Sequence, residues 1–349
     1  MSLPQLMTEL KENKNLKLLV LDFDETINHS SGTTAGIQGE FVHPKIGTHL
    51  QNILSNPNIR VLVVSKGTDN DLAHQLLANQ NLDKLLVVSA SEVYHYLEEK
   101  EIKQEDPIRG TVQKSDLIQS IRCGIMNEID DLDDKSPTKR IIGWCDDSEA
   151  PILECVSAEN EEENKYNFPV VLVPHEKNQV CRTIDYFAII EFLAQYHDQD
   201  EVTKPVKKAL NQALQEYKKA KSKLDDYTLN SGENYSRKDW EALRDAMQTP
   251  YREALTKITK QIENIKYEQE KIKLGTFNTS DPELKKRIQK LIKHIDYLKN
   301  DGANVEKLTS VIQSTNRFLN KEIDPKAYKE LADSLKDKPS KGMKILGAS

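Results

Sequence analysis

Apolar positions follow two different grammars along this 349-residue chain, and the change falls near residue 200. In the first part, short apolar runs alternate with segments of helical spacing. Residues 17–22 predict a strand, Ile59 to Val64 a buried strand and Leu85 to Val88 a short one. Ile141 to Trp144 and Pro169 to Val173 predict two more. Between them, residues 44–55 carry Ile46, Leu50, Ile53 and Leu54 at helical spacing. Asp69 serves as N-cap for a helix through Ala78, Lys114 or Ser115 opens a helix through Ile125, and Thr183 precedes one through Tyr196. Apolar strands alternating with helices predict an α/β fold with a mostly parallel sheet covered on both faces. Ligands of such sheets sit beyond the carboxyl ends of the strands.

From Lys204 onward there is no strand signal. A helix over roughly 204–227 places Val206, Leu210, Leu214, Tyr217 and Leu224 on one side. Ser236 caps a helix through Met247, and Thr249-Pro250 restarts it, because proline is tolerated at a first helical position. That helix runs to Leu274, where Gly275 ends it. Ser280 or Asp281, with Pro282, opens a helix to about Leu298. Two shorter helices follow near 303–320 and 324–336. The expected division is therefore an α/β domain over 1–200, an all-α domain over 201–338 and a disordered tail over 339–349.

Charge sharpens that division. Residues 1–200 hold 18 Lys/Arg against 34 Asp/Glu, net −16, whereas residues 201–349 hold 31 against 22, net +9. Opposite signs predict different partners for the two parts. No apolar run reaches 18 residues, so no membrane span is expected. No basic flank precedes an apolar core at the N-terminus, so no secretory leader is expected, and Met1-Ser2-Leu3 reads as a cloning remnant. Four scattered cysteines (Cys123, Cys145, Cys155, Cys181) show no CxxC spacing, which disfavours a zinc or disulfide framework and fits a reducing cytoplasm.

Four places carry candidate chemistry. The run Leu18-Leu19-Val20-Leu21-Asp22-Phe23-Asp24-Glu25-Thr26 ends an apolar strand in two acids spaced i, i+2. In extended backbone that spacing puts both on one side of the chain, aimed at a point above the sheet edge. Paired there, they would bind a cation and leave one oxygen free to attack. Ser65 ends the next strong strand, and Ser65-Lys66-Gly67-Thr68-Asp69 brings backbone N–H groups to a helix start, a favourable place for an anion. Lys114 stands at a helix start in Gly110-Thr111-Val112-Gln113-Lys114-Ser115, with Lys103 and Arg109 as competitors. Last, Ile141-Ile142-Gly143-Trp144-Cys145-Asp146-Asp147-Ser148 ends a strand in adjacent acids. The runs Asn160–Glu163 and Asp130–Asp134 read as solvated loops, Cys145 as a buried, inert thiol. His43, His74, His175 and His197 show no ligand spacing.

Taken in order, these four segments resemble the motifs of the haloacid dehalogenase (HAD) superfamily, over about residues 16–195. The resemblance implies a HAD-like Rossmannoid three-layer fold with a parallel sheet. It implies that Asp22 is a nucleophile forming an aspartyl-phosphate and that Asp24 protonates the leaving oxygen, then deprotonates the attacking water. Ser65 would donate to the phosphoryl group, and Lys114 would neutralise its charge and steady Asp22. Asp22, Asp24, Asp146 and Asp147 would hold Mg²⁺, which suits hard oxygen ligands. The second Asp at +2 is similar to the phosphatases of the superfamily, not its dehalogenases. The chain departs from the commoner GDxxxD pattern: Cys145 replaces the Gly and Ala150 stands where the last Asp would be, with Glu149 as a substitute.

Residues 25–64 and 66–113 separate the first three motifs, and much of each is taken by a Gly-rich flap (Ser30 to Phe41), helices and a strand. Neither stretch comfortably holds a full cap domain. An open site suits a phosphate on a macromolecule, so the resemblance implies a phosphoprotein phosphatase of the minimal-cap DD type, acting on Tyr or on Ser/Thr. The basic helical part is compatible with a solvated surface, or with an anionic membrane or phosphoinositides through residues 201–338. Nucleic acid is not expected, because few aromatics interleave with the basic residues. The two-part layout resembles translocated effectors of Legionella-type bacteria, among them a HAD-type tyrosine phosphatase with a membrane-binding C-terminal half. On that likeness the protein is delivered to a host cell and associates with membrane. The competing expectation is a vestigial HAD-fold adaptor whose helical half binds anionic lipid or a protein partner.

Overall fold

The structure is a computed structural model, and it describes residues 2–23, 25–27, 45–65, 85–89, 92–93, 95–96, 140–156, 168–176, 179–180, 185–232, 235–326 and 329. The helices expected after Asp69 and from Lys114, the flap over 30–41, both acidic loops and the tail over 339–349 lie outside these residues. The chain divides into two compact units, residues 1–258 and 259–349.

The first unit is built on a five-stranded, all-parallel sheet. Its strands are β1 (Lys17–Asp22), β2 (Ile59–Ser65), β3 (Leu85–Ser89), β4 (Ile141–Asp146) and β5 (Val170–Leu172), in spatial order β3-β2-β1-β4-β5. All five were legible as apolar runs. Each is buried on both faces, as a covered parallel sheet requires: Leu18 to Leu21 of β1 are no more than 1% exposed. Among the described residues the helices are α1 (Leu3–Glu12), α2 (Ile46–Leu54), α3 (Glu149–Cys155), α4 (Asp185–Gln195), α5 (Asp200–Asn230) and α6 (Arg237–Gly275), with a two-stranded antiparallel ribbon, β6 (His175–Glu176) and β7 (Gln179–Val180), before α4. Parallel crossovers are right-handed. Accordingly α2, which leads from β1 to β2, and α3, which leads the opposite way from β4 to β5, cover opposite faces. α4 packs beside α2 and against β4 and β5. A part-buried pair, His49 of α2 with Glu191 of α4, joins those two helices.

Ser2 caps α1, its N–H donating to Gln5 Oε1 at 2.7 Å and its Oγ accepting from the Gln5 N–H at 3.4 Å. Leu3, Leu6, Met7 and Leu10 bury one face of that helix, and the Arg140 guanidinium donates to the carbonyls of Leu10 (2.6 Å) and Asn13 (2.8 Å). One sequence expectation fails for a physical reason: Pro250 does not restart a helix, and α6 passes through it without a break. An interior proline costs about 3 kcal/mol. Here Met247, Gln248 and Tyr251, all buried, fix the helix on either side of it.

The first unit takes in α5 and the start of α6 as well as the sheet. The compositional change near residue 200 is therefore not where the compact units divide. Tyr251 of α6 shows why. Its buried hydroxyl donates to the Leu172 carbonyl (2.9 Å) and accepts from the Leu172 N–H (3.2 Å), satisfying the backbone of edge strand β5.

The second unit contains the end of α6 with α7 (Pro282–Asn300) and α8 (Val305–Leu319). Its core joins Tyr267 and Leu274 with Ile288, Leu291, Ile295, Leu308 and Ile312. Asp281 caps α7, accepting from the N–H groups of Glu283 (2.9 Å) and Leu284 (3.2 Å). No described helix is long and apolar enough to cross a membrane.

Candidate functional site

In the order β3-β2-β1-β4-β5, the chain leaves β1 toward one edge of the sheet and leaves β4 toward the other. The connections part between β1 and β4, which opens a crevice at the carboxyl ends of those two strands. Asp22 is the last residue of β1 and Asp146 the last of β4. Leu21 pairs with Cys145, so the two acids follow side by side at the mouth of the crevice.

The carboxylates of Asp22, Asp146 and Asp147 converge: ligand atoms of all three lie within 4.8 Å of one another. Asp22 and Asp146 are buried and Asp147 is half-buried. The turn after β4 is closed by the Ser148 N–H, which donates to Asp146 Oδ1 at 2.9 Å. At an effective dielectric of about 20, two unit charges 4.8 Å apart repel by about 3.5 kcal/mol. Three such groups, all offering hard oxygen, form a donor set that fits a divalent cation such as Mg²⁺. This trio, with two of its acids buried, could bind a metal ion.

After β1 the chain turns sharply. Glu25 adopts φ 59°, the left-handed region that non-glycine residues seldom enter. The turn is held by the Ile27 N–H on the Phe23 carbonyl at 2.9 Å, and by the Tyr186 hydroxyl of α4 on the Thr26 carbonyl at 3.0 Å. Backbone strain of this kind concentrates at functional turns. Asp24, inside this turn, lies outside the described residues, as do Lys114, Lys103 and Arg109. Ser65 is the last residue of β2, the strand next to β1, and pairs with Ser89 of β3; its side chain is not described.

Glu149, the substitute ligand, does not join the cluster. Its carboxylate turns to α5, where the Tyr217 hydroxyl donates to Oε1 and the Lys221 ammonium lies 3.2 Å from Oε2. Burial and the Glu149 charge together push the Tyr217 hydroxyl well above the ordinary phenol range. Cys145 is fully buried and free. Burial, and then the charges of Asp146, Asp22 and Asp147, raise its thiol well above its usual range, which disfavours the reactive thiolate.

No sequence signal pointed to Tyr217, Lys221, Tyr251 or Tyr186 at this end of the sheet. Tyr217 was legible only as one more apolar position on the buried face of α5. No family model, curated protein or solved structure matches the chain.

Proposed function

We propose that this chain is a Mg²⁺-dependent phosphatase that works through an aspartyl-phosphate on Asp22. The observation that carries the reading is the convergence of Asp22, Asp146 and Asp147 at the crevice between β1 and β4. Its sequence support is the HAD-like order of motifs. On this reading Asp22 would be one of the residues that hold the cation, and one of its oxygens attacks phosphorus. The bond from phosphorus to the leaving oxygen breaks, and Asp24 gives that oxygen a proton. Asp24 then takes a proton from water, the water oxygen attacks phosphorus, and the bond to Asp22 breaks. Ser65 and Lys114 hold the phosphoryl oxygens. Asp146 and Asp147 would hold the cation together with Asp22, and the chemistry it would supply is screening of phosphate charge from the anionic nucleophile.

The substrate class follows from the stretches between motifs, which are too short for a full cap. An open crevice of that kind accepts a phosphorylated side chain presented by a protein. The second unit contributes a charge argument of its own. Lys285, Lys286, Arg287, Lys290 and Lys293 of α7 are all exposed, and with exposed Tyr297 they support contact with an anionic membrane surface. The adaptor reading needs the same surface and no chemistry. Release of phosphate from an aryl phosphate separates the two. Asp22→Asn and EDTA each abolish it if the phosphatase reading holds, and undiminished turnover by Asp22→Asn removes the mechanism.

A further inference from the structure

Asp146 and Asp147 sit on a turn gripped at both ends by helices that the sequence assigns to a different domain. At one end, the two oxygens of Glu149 are held separately. Tyr217, only 4% exposed, donates to Oε1, and Lys221, one helical turn further along α5, reaches Oε2. At the other end, the Asp146 carbonyl accepts from the Val173 N–H at 2.9 Å, and Asp146 pairs in register with Leu172. Leu172 is in turn held by the Tyr251 hydroxyl. The rings of Tyr217 and Tyr251 pack edge-on, with centroids 5.3 Å apart and planes at 64°. One aromatic pair thus anchors both flanks of the acidic turn.

We propose that Tyr217 and Lys221 are positioning residues for the cation site: by orienting Glu149 they hold the turn 146–149 so that Asp146 and Asp147 face Asp22. The inference rests on the cation-site reading above. Lys221 and Glu149 are each 27% exposed in their side chains. An ion pair that accessible contributes little to stability by itself, so its effect is to be sought in geometry. Groups that orient metal ligands typically change affinity 10- to 100-fold when removed.

The test is direct Mn²⁺ binding to the full chain, followed by the loss of the free-ion electron paramagnetic resonance signal, with no substrate present. Tyr217→Phe keeps the ring and deletes the donor, and should weaken binding about tenfold. Lys221→Met should weaken it in the same direction, and Lys221→Arg should restore it. Tyr267→Phe is the matched control. It also deletes a hydroxyl donated to a carboxylate, that of Asp296 at 2.7 Å, but in the second unit, and it should bind Mn²⁺ like the parent chain. If Asp146→Asn abolishes binding while Tyr217→Phe and Lys221→Met leave it intact, the positioning role is overturned and the site stands. If Asp146→Asn binds as tightly as the parent, the cation site itself is wrong and this inference falls with it. Should Tyr217→Phe fail to fold, Glu149→Gln and Lys221→Met decide the matter by the same criterion.

Discussion

Neutralising Asp146 is the sharpest test of the acidic cluster, because it changes one charge and almost no volume. With ligand atoms of the three carboxylates within 4.8 Å of one another, each pair repels by at least about 3.5 kcal/mol at an effective dielectric of about 20. Asp146→Asn removes two of the three pairs, and with them most of the field that would draw a divalent ion. A ligand present at about a hundred times its dissociation constant stabilises the folded state by about 2.7 kcal/mol. For a unit of this size that is a rise of about 5–10 °C in Tm, at about 2–4 °C per kcal/mol. The chain holds two tryptophans, Trp144 in β4 and Trp240 in α6, and both fall within residues 1–258. Intrinsic fluorescence therefore follows the unit that carries the site. The expected result is a clear rise in Tm between EDTA and saturating Mg²⁺ for the parent chain, and almost none for Asp146→Asn. The comparison is of the shift and not of absolute Tm, so any other effect of the substitution cancels. An equal shift in both proteins, or none in the parent with either Mg²⁺ or Mn²⁺, refutes the reasoning.

Three further outcomes are expected. Tyr251→Phe leaves the Leu172 N–H and carbonyl without their hydroxyl, which should cost about 1–3 kcal/mol and speed amide exchange at β5; unchanged exchange there would show that the edge is held by something else. In the second unit, burial opposes ionisation of Asp296 and Glu268, yet Lys271 and Lys299, joined at Asp296 by the Tyr267 hydroxyl, outweigh it and hold both acids below the usual carboxylate range. A lowered folded value means stability that is present above the unfolded value and lost as pH falls through the folded one. Exchange in α7, corrected for its intrinsic pH dependence, should therefore quicken below about pH 4, and Asp296→Asn should blunt the change. Sedimentation with phosphatidylserine vesicles should carry the full chain down at low salt, and Lys286→Glu with Lys290→Glu and Lys293→Glu should release it; no enrichment on anionic vesicles counts against membrane contact.

The strands were legible because a sheet covered on both faces demands unbroken apolar runs, and Leu18 to Leu21 or Val61 to Val64 can hardly be anything else. Asp22 and Asp146 were legible for the converse reason: a carboxylate directly after such a run must sit at the sheet's rim. What escaped was whatever depends on distant partners. Glu149 offers itself as a ligand in the sequence, and only a tyrosine and a lysine some seventy positions away turn it elsewhere. The helix α1 escaped for a different reason. Its cap, Ser2 with Gln5, and its buried face, Leu3, Leu6, Met7 and Leu10, span only 10 helical residues, too short a stretch for helical spacing to stand out by itself. At Pro250 a local rule met tertiary packing, and packing prevailed.

The division near residue 200 carries a more general lesson. Charge and composition report on the surface of a segment, and they change where α5 begins because its outer faces are lysine-rich. Compact units are set by what is buried. Val206, Leu210, Leu214 and Tyr217 bury one stripe of α5 within the first unit, and Tyr251 of α6 satisfies the backbone of β5. A truncation at residue 200, natural from the composition, would strip the edge strand of its hydroxyl partner and the acidic turn of its anchor. It would be expected to lose the cation site together with stability. α5 and the start of α6, which look like part of an appendage, belong to the compact unit that carries the acidic cluster.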